Sequence, residues 1–238
     1  MSYEPVMTCM ANICCKYVNV LAIQLIYVSI SSLIVFISLI GDQLLTIKRN
    51  AINAYIIALS DTLIHGFIGF FSWLLVYISK GHPVCEHIVL MESFICGLTA
   101  SAIDLDHVLA ARSFDLNDIS HLPNRPFLHN TSLTLLISVS ILATGLIRHN
   151  WMVHTYGWIF LTASLTHHLR DALRHGFWLY PFTTKPVPLW AYVLSLTAYP
   201  LVCSLLMDIV AKEWLERHSM SNHLNFKYKS VSGDVQEV

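Results

Sequence analysis

An uninterrupted apolar stretch near the start of the chain constrains the fold more than any other feature. Residues 18–40 contain no charged side chain, and a helix of this length crosses the hydrocarbon part of a bilayer. The stretch is too long for the apolar part of a cleaved signal peptide, so we interpret it as a retained membrane anchor. Charged residues make up 12% of the chain, against about 25% in soluble proteins. This indicates that lipid covers much of the surface.

Five further apolar segments follow the first. They comprise Ala51–Ser79 and, approximately, residues 88–103, 132–147, 151–165 and 188–210. Helices satisfy their own backbone hydrogen bonds in lipid, so we predict an all-α, polytopic membrane helical bundle with about six spans. The predicted organisation is an N-terminal segment over residues 1–17, the bundle over 18–211 and a polar, disordered tail over 212–238.

Composition also limits the partners of the chain. The formal net charge is −1, and no basic patch of the kind that binds nucleic acid is present in the sequence. The lipid bilayer is therefore the predicted partner, in a multi-pass arrangement. The sequence does not indicate which membrane holds the chain.

Ionisable residues gather near the ends of the apolar segments, on one side of the predicted bundle. With six spans, the first, third and fifth loops all lie on the same side of the membrane. The groups that border these loops are Asp42; Asp61 and His65; Asp104, Asp106 and His107; His129; and His167, His168 and Asp171. We therefore expect these side chains to meet at one end of the bundle.

The spacing of these residues suits a metal ion. Asp61 and His65 are four residues apart and share a helix face, and His167 and Asp171 repeat that spacing. Imidazole and carboxylate groups bind divalent zinc, manganese or iron, and buried carboxylates repel one another without a cation. The predicted metal ligands are Asp61, His65, Asp104, Asp106, His129, His167 and Asp171. The candidates for proton transfer are His107 and His168.

Each of these groups also has a plainer structural interpretation. A polar pair can join two membrane helices, an acidic segment at a helix end can be a solvated cap, and a lone histidine can lie at the surface. Their common position on one side favours a shared metal site over several unrelated groups.

Four segments of the chain resemble the transmembrane protein 267 family of animals. They are LPNRPFLH at residues 122–129, THHLRDALRHGFW at 166–178, ALSD at 58–61 together with His65, and DLDH at 104–107. The similarity extends over most of the chain between residues 40 and 199. The chain is identified by these segments as a member of that family.

A more distant resemblance is to the bacterial YdjM-like family, described as LexA-regulated, membrane-bound, metal-dependent hydrolases. His65 corresponds to an early histidine of that family. The segment Pro-Asp-x-Asp-His corresponds to Asp104, Asp106 and His107. The segment His-Arg-Gly-x-Thr-His-Ser corresponds to Arg125 and His129, and the segment Ser-His-x-x-x-Asp corresponds to His167 and Asp171. Asn124 replaces the first histidine of the third motif, and Ile103 replaces the proline of the second. These departures bring the metal affinity, and therefore the activity, into question.

Two functions are consistent with the sequence. One is metal-dependent hydrolysis at the membrane surface, with a lipid or phosphoester as the substrate. The alternative is a non-enzymatic membrane protein, for metal binding, transport or scaffolding, in which the site is degenerate. A transporter needs a site near the midplane with access from both faces, whereas most of these residues lie at one end.

Overall fold

The computed structural model describes the backbone of residues 4–45, 51–80 and 87–233, and the side chains of 20–45, 54–80, 87–119 and 121–214. The elements in this part of the chain are α1 (Glu4–Leu44), α2 (Ala51–Ser79), α3 (His87–Ala102), α4 (Leu105–Ala111), α5 (Leu116–Ser120), α6 (Thr131–Ile147), α7 (Trp151–His175), β1 (Trp178–Leu179), β2 (Phe182–Thr183) and α8 (Leu189–Gly233). The two strands form one short antiparallel hairpin. The prediction of an all-α membrane bundle is confirmed.

The number of spans is smaller than the six that we predicted. Among the described residues, four helical stretches are long and apolar enough to cross a membrane: Val20–Leu44, Ala54–Ser79, His87–Ala111 and Leu189–Trp214. Helix α6 has 17 residues, fewer than the ~20 that a span needs. Helix α7 has 25 residues, but it is rich in polar side chains, so it lacks the apolar character of a span. The bundle therefore has about four spans.

Helices α6 and α7 form a tight antiparallel hairpin. The Asn150 side chain caps α7 by accepting a hydrogen bond from the backbone N–H of Val153, and the Asn150 N–H donates to the Gly145 carbonyl at 2.9 Å. A Cβ atom on Gly145 would lie 2.5 Å from the backbone nitrogen of His154. Only glycine at that position lets the two helices approach so closely.

Helix α7 lies in the interior of the bundle, and two apolar clusters pack around it. One includes Ile34, Ile68, Leu169, Tyr192 and Leu196, and joins α7 to α1, α2 and α8. The other includes Trp73, Cys96, Ile159, Ala163 and Met207, and joins α7 to α2, α3 and α8. Polar groups on α7 are therefore shielded from lipid by the apolar spans around them.

Small residues set the distance between α2 and α3. A Cβ atom on Gly97 of α3 would lie 2.7 Å from the carbonyl oxygen of Gly66 on α2. Near the same contact, the Ser101 hydroxyl donates to the Thr62 carbonyl at 2.9 Å. This close approach, typical of membrane helices, brings the end of α3 against the polar part of α2.

The final helix continues through most of the region for which we predicted a disordered tail. Its backbone is helical to Gly233, while its side chains are described only to Trp214. Helix α1 likewise begins at Glu4, inside the predicted N-terminal segment. The domain boundaries after residues 17 and 211 remain predictions.

Candidate metal centre

The ionisable side chains that we expected to share one end of the bundle do lie together there. His167, near the end of α7, has its Nε2 atom 3.6 Å from Oδ1 of Asp104, which follows α3. The Nε2 atom of His129, just before α6, lies 3.7 Å from the same carboxylate oxygen. The predicted convergence of the polar groups is therefore confirmed.

Four donor atoms from three parts of the chain form the centre of this cluster. They are Nε2 of His129, Nε2 of His167, Oδ1 of Asp104 and Oδ2 of Asp171. The two nitrogens are 3.2 Å apart. Oδ2 of Asp171 lies 3.5 Å from the His129 nitrogen and 3.3 Å from the His167 nitrogen.

Five of the six separations among these atoms are close to those between the ligands of a single cation. These five distances, each of which involves a histidine nitrogen, run from 3.2 to 3.7 Å. Zinc bonds of about 2.0–2.1 Å require tetrahedron edges of about 3.3–3.4 Å. Two imidazoles and two carboxylates are also a ligand set that zinc, manganese and iron accept. The residues present therefore fit a divalent metal ion.

Hydrogen bonds from the opposite ring nitrogens orient both histidines. Nδ1 of His167 donates to the Ala100 carbonyl at 2.9 Å. Nδ1 of His129 donates to Oδ2 of Asp106 at 3.2 Å. Metal-binding histidines usually donate their second N–H to a carbonyl or carboxylate in this way. The Nε2 lone pairs of both rings are thus directed at the space between the four donors.

Asp106 contacts the Nδ1 side of the His129 ring, opposite the Nε2 atom that faces the other donors. Its side chain is fully buried, and Oδ2 also accepts a hydrogen bond from the Leu128 backbone N–H at 2.8 Å. Its Oδ1 lies 3.1 Å from Nδ1 of His129 and 3.2 Å from Nδ1 of His107. The predicted ligand Asp106 therefore contacts the outer side of the His129 ring, where it forms another possible ligand group with His107 and His129.

The two carboxylates of the donor set are held by hydrogen bonds to their second oxygens. The Thr62 hydroxyl donates to Oδ2 of Asp104 at 2.8 Å. Nη2 of Arg174 donates to Oδ1 of Asp171 at 2.7 Å. In each carboxylate, one oxygen is fixed by the protein and the other faces the donor set.

The charges in this cluster shift the pKa of His129 and of Asp171. Burial lowers the pKa of His129, but the carboxylates of Asp104 and Asp106 outweigh it and raise the pKa to about 10. Burial raises the pKa of Asp171, but His65 and His167 hold it well below its ordinary value. Three carboxylates around His129 thus favour a positive charge at this position, which either a proton or a metal ion supplies.

Two of the predicted ligands, Asp61 and His65, face arginine. Nη1 of Arg170 forms an ion pair with Oδ1 of Asp61 and lies 3.0 Å from Nε2 of His65. The ring of His65 stacks on His167, with 3.8 Å between the ring centroids. Although His65, His167 and Asp171 are close enough to form a second possible ligand group, the guanidinium repels a cation there. The structure therefore does not bring Asp61 into the donor set, and it places His65 beside it.

The two histidines that we predicted for proton transfer differ in their surroundings. His168 donates from Nε2 to the Leu128 carbonyl at 2.9 Å, and its Nδ1 lies 3.5 Å from the Thr134 hydroxyl. Burial lowers the pKa of His168 to about 4. His107 is partly exposed, and its ring meets the His129 ring edge-on at a centroid distance of 4.5 Å. His107 is therefore the better placed of the two to exchange protons with solvent.

A cavity of about 1040 Å³ opens onto the cluster. Asp104, His129 and Asp171 line it, so three of the four donor residues are accessible from the cavity. Charged and apolar side chains share its walls. The centre can thus be reached by a molecule that enters from the end of the bundle.

Comparisons with known proteins identify relatives that share one name. Over 173 residues, which cover 71% of this chain and 77% of the relative, the chain is 36% identical to transmembrane protein 267 of Mus musculus. The protein of that name from Bos taurus is 33% identical over 172 residues, with coverages of 71% and 77%. The one from Danio rerio is 32% identical over 172 residues, with coverages of 71% and 75%. The chain belongs to the transmembrane protein 267 family.

The family membership agrees with the resemblance seen in the sequence segments. Together with the four apolar helices, it identifies the chain as a multi-pass membrane protein. No family model and no solved structure matches the chain. The more distant resemblance to the YdjM-like family remains a prediction.

Sequence reasoning missed two residues of this transmembrane protein 267 family member that hold the site together. Arg174 lies three residues after Asp171 and so shares its helix face, which was a usable signal. Thr62 follows Asp61 and looks like an ordinary helix residue, so its hydrogen bond to Asp104 has no counterpart in the sequence. Arg125 and Arg174 both line the cavity.

Proposed function

We propose that this membrane protein is a metal-dependent hydrolase that acts at the membrane surface on a lipid-like phosphoester. The observation that carries the proposal is the convergence of two imidazole nitrogens with the carboxylates of Asp104 and Asp171, at 3.2–3.7 Å, beside an accessible cavity. The resemblance to the YdjM-like hydrolases supports the same reaction class.

The residues of the chain have distinct roles in this proposal. The ion would be held by His129, His167, Asp104 and Asp171, and it would supply a Lewis acid that activates a water molecule. Asp106 and the Ala100 carbonyl fix the orientation of the two imidazoles. His107, next to His129 and partly exposed, accepts a proton from the attacking water or delivers one to the leaving group.

A non-enzymatic role is the second candidate, and one observation favours it. Four protein ligands would fill a tetrahedral site, and a closed site of this kind is typical of structural metal ions. In that case the ion would fix the ends of α3, α6 and α7 together. The hydrolase proposal requires that water reach the ion from the cavity, where Asp104 and Asp171 are partly exposed.

Metal analysis of the detergent-purified, full-length chain tests the shared basis of both candidates. We expect about one equivalent of zinc, manganese or iron in the wild type and a large loss in the Asp104→Ala/His167→Ala double mutant. The matched control is His154→Ala, because His154 is also a buried histidine on α7 but lies at the opposite end of that helix. Equal metal content in the double mutant and the wild type would overturn the metal centre.

Hydrolysis assays then separate the two candidates. Metal-loaded protein is tested with p-nitrophenyl phosphate, bis-p-nitrophenyl phosphate and short-chain phosphatidic acid, with and without a chelator. Chelator-sensitive turnover that disappears in the double mutant supports the hydrolase. Stoichiometric metal without turnover of any of these phosphoesters favours the structural role.

A further inference from the structure

We infer that Arg125 and Arg174 form an anion-binding subsite beside the metal centre, which binds the phosphate group of an amphiphile whose apolar part lies along the cavity wall. The inference rests on the proposed function and names the group that determines its substrate class. It concerns two arginines that contribute no donor atom to the metal ion.

The three arginines at this end of the bundle differ in what they face. The Arg170 side chain is 0% exposed, and it is neutralised by Asp61 and by Asp42, the latter at 3.4 Å. Arg174 is 27% exposed and lines the cavity. Arg170 is therefore a structural ion-pair partner, whereas Arg174 is accessible to a ligand.

Arg174 is fixed by one short hydrogen bond, but its guanidinium has further N–H groups that can donate to a ligand. One Nη2 hydrogen bond fixes it to Asp171 at 2.7 Å, while its contacts with Asp61 are longer, at 3.5 Å. A phosphate oxygen in the cavity would satisfy donors that the protein leaves weakly engaged.

Arg125 approaches the same place from the segment before α6. Its hydrogen bond is a long one, from Nη2 to the carbonyl of His175 at 3.4 Å. Among the residues that the structure describes, no carboxylate pairs with it. Because the His175 carbonyl belongs to the end of α7, Arg125 lies close to Arg174 and lines the same cavity. An unpaired guanidinium at a cavity wall suits a phosphate, which it can bind through two parallel hydrogen bonds.

One part of the remaining cavity wall is apolar, although carboxylates and imidazoles of the cluster also line the cavity. The apolar part includes Leu105, Val108, Phe114, Ile119 and Leu122, all in the segment between α3 and the start of α6. The Phe114 side chain is 85% exposed, so this wall is continuous with an apolar outer surface at the end of the spans. The two arginines and this apolar part of the wall together fit a phosphate attached to a hydrocarbon chain, and not a free phosphate.

Binding of short-chain lipids to the purified full-length protein tests the inference. The probes are dioctanoyl phosphatidic acid, the neutral dioctanoylglycerol and the water-soluble glycerol 3-phosphate, measured in a maltoside detergent with a chelator present. The chelator prevents turnover and isolates the contribution of the arginines. We expect phosphatidic acid to bind most tightly of the three.

The variants are chosen so that the metal centre is not disturbed. Arg125→Gln removes an exposed guanidinium that touches no donor residue, and we expect at least about a tenfold loss of affinity for phosphatidic acid. Arg125→Lys retains the charge without the planar fork and should lose less. Arg148→Gln, an exposed arginine at the other end of α6, is the matched control and should bind like the wild type. Arg174→Gln is a secondary variant, because it also releases Asp171.

The outcomes distinguish this inference from the proposed function. Unchanged affinity for phosphatidic acid in Arg125→Gln would overturn the anion subsite. If glycerol 3-phosphate or dioctanoylglycerol bound as tightly as phosphatidic acid, the assignment of the ligand as a phosphate-bearing amphiphile would be overturned. If the wild type holds no metal but binds phosphatidic acid in an Arg125-dependent manner, the hydrolase proposal fails and the subsite stands. Normal metal content together with weakened binding of phosphatidic acid in Arg125→Gln supports both the metal centre and the anion subsite.

Discussion

Nε2 of His129 lies 3.2 Å from Nε2 of His167, although the first residue precedes α6 and the second lies near the end of α7. Each ring donates from its other nitrogen, to Asp106 in one case and to the Ala100 carbonyl in the other. Two lone pairs that face each other at this distance repel unless a proton or a cation lies between them. This relationship is the basis of the predictions about metal binding.

Removing the charge behind His129 should weaken metal binding without abolishing it. We expect Asp106→Asn to lower the affinity about 10- to 100-fold, because the asparagine no longer holds the imidazole as a strong donor. Competition with a chelating dye measures the affinity. The control is Asp118→Asn, an exposed carboxyl on α5, and equal affinities in the two variants would refute a supporting role for Asp106.

The two candidate proton-transfer residues should behave differently when they are replaced. His107→Gln should retain the metal and lower the rate of phosphoester hydrolysis about 10²- to 10⁴-fold, as the loss of a general acid or base does. His168→Gln should change the rate less, because both nitrogens of His168 face protein acceptors or hydroxyls. Metal content and turnover are measured on the same samples, and a larger rate loss in His168→Gln would reverse the assignment.

The buried ion pairs of Arg170 should matter for stability. Arg170→Leu removes the guanidinium beside Asp42 and leaves Asp61 only its longer contacts with Arg174, and we expect a destabilisation of about 3–5 kcal/mol. Thermal unfolding in detergent reports the change as a lower midpoint. Arg148→Leu, at an exposed site, should leave the midpoint almost unchanged; a similar midpoint in both variants would mean that the pairs contribute little.

The close contact between α2 and α3 should not tolerate an added methyl group. In Gly97→Ala the new Cβ would lie 2.7 Å from the Gly66 carbonyl oxygen, and overpacking of this kind costs about 1–3 kcal/mol. Because the helices must separate, the hydrogen bond from Thr62 to Asp104 should also weaken and the metal affinity should fall. Leu98→Ala changes a neighbouring exposed side chain and serves as the control for both measurements. Wild-type stability in Gly97→Ala would show that the helices do not need this contact.

Much of the architecture followed from the sequence alone. The apolar stretches predicted membrane helices, because a continuous run of about 20 apolar residues matches the hydrocarbon core of a bilayer. Their number was overestimated for two reasons: α6 is too short for a span, and α7 has the length of a span but buries polar side chains inside the bundle. The common side of the polar residues was predicted correctly because α6 and α7, although they are not counted as spans, form an antiparallel hairpin that keeps the predicted order of helix ends.

The residues that make up the candidate site were harder to predict from the sequence. Asp61 has the same four-residue relation to His65 that Asp171 has to His167, yet Asp61 faces Arg170 and Asp171 faces the donor set. Spacing along a helix tells which residues share a face, but not which neighbour that face meets. The rotation of α7 against α2 makes that choice.

The sequence by itself determined that this chain resides in a membrane as a helical bundle and that its ionisable groups gather at one end. Only the tertiary structure decided which four donors converge and which arginines reach the cavity. The physical reason is that distances between helices depend on side-chain packing, such as the contact of Gly97 with the Gly66 carbonyl. Such contacts join residues that lie far apart in the sequence.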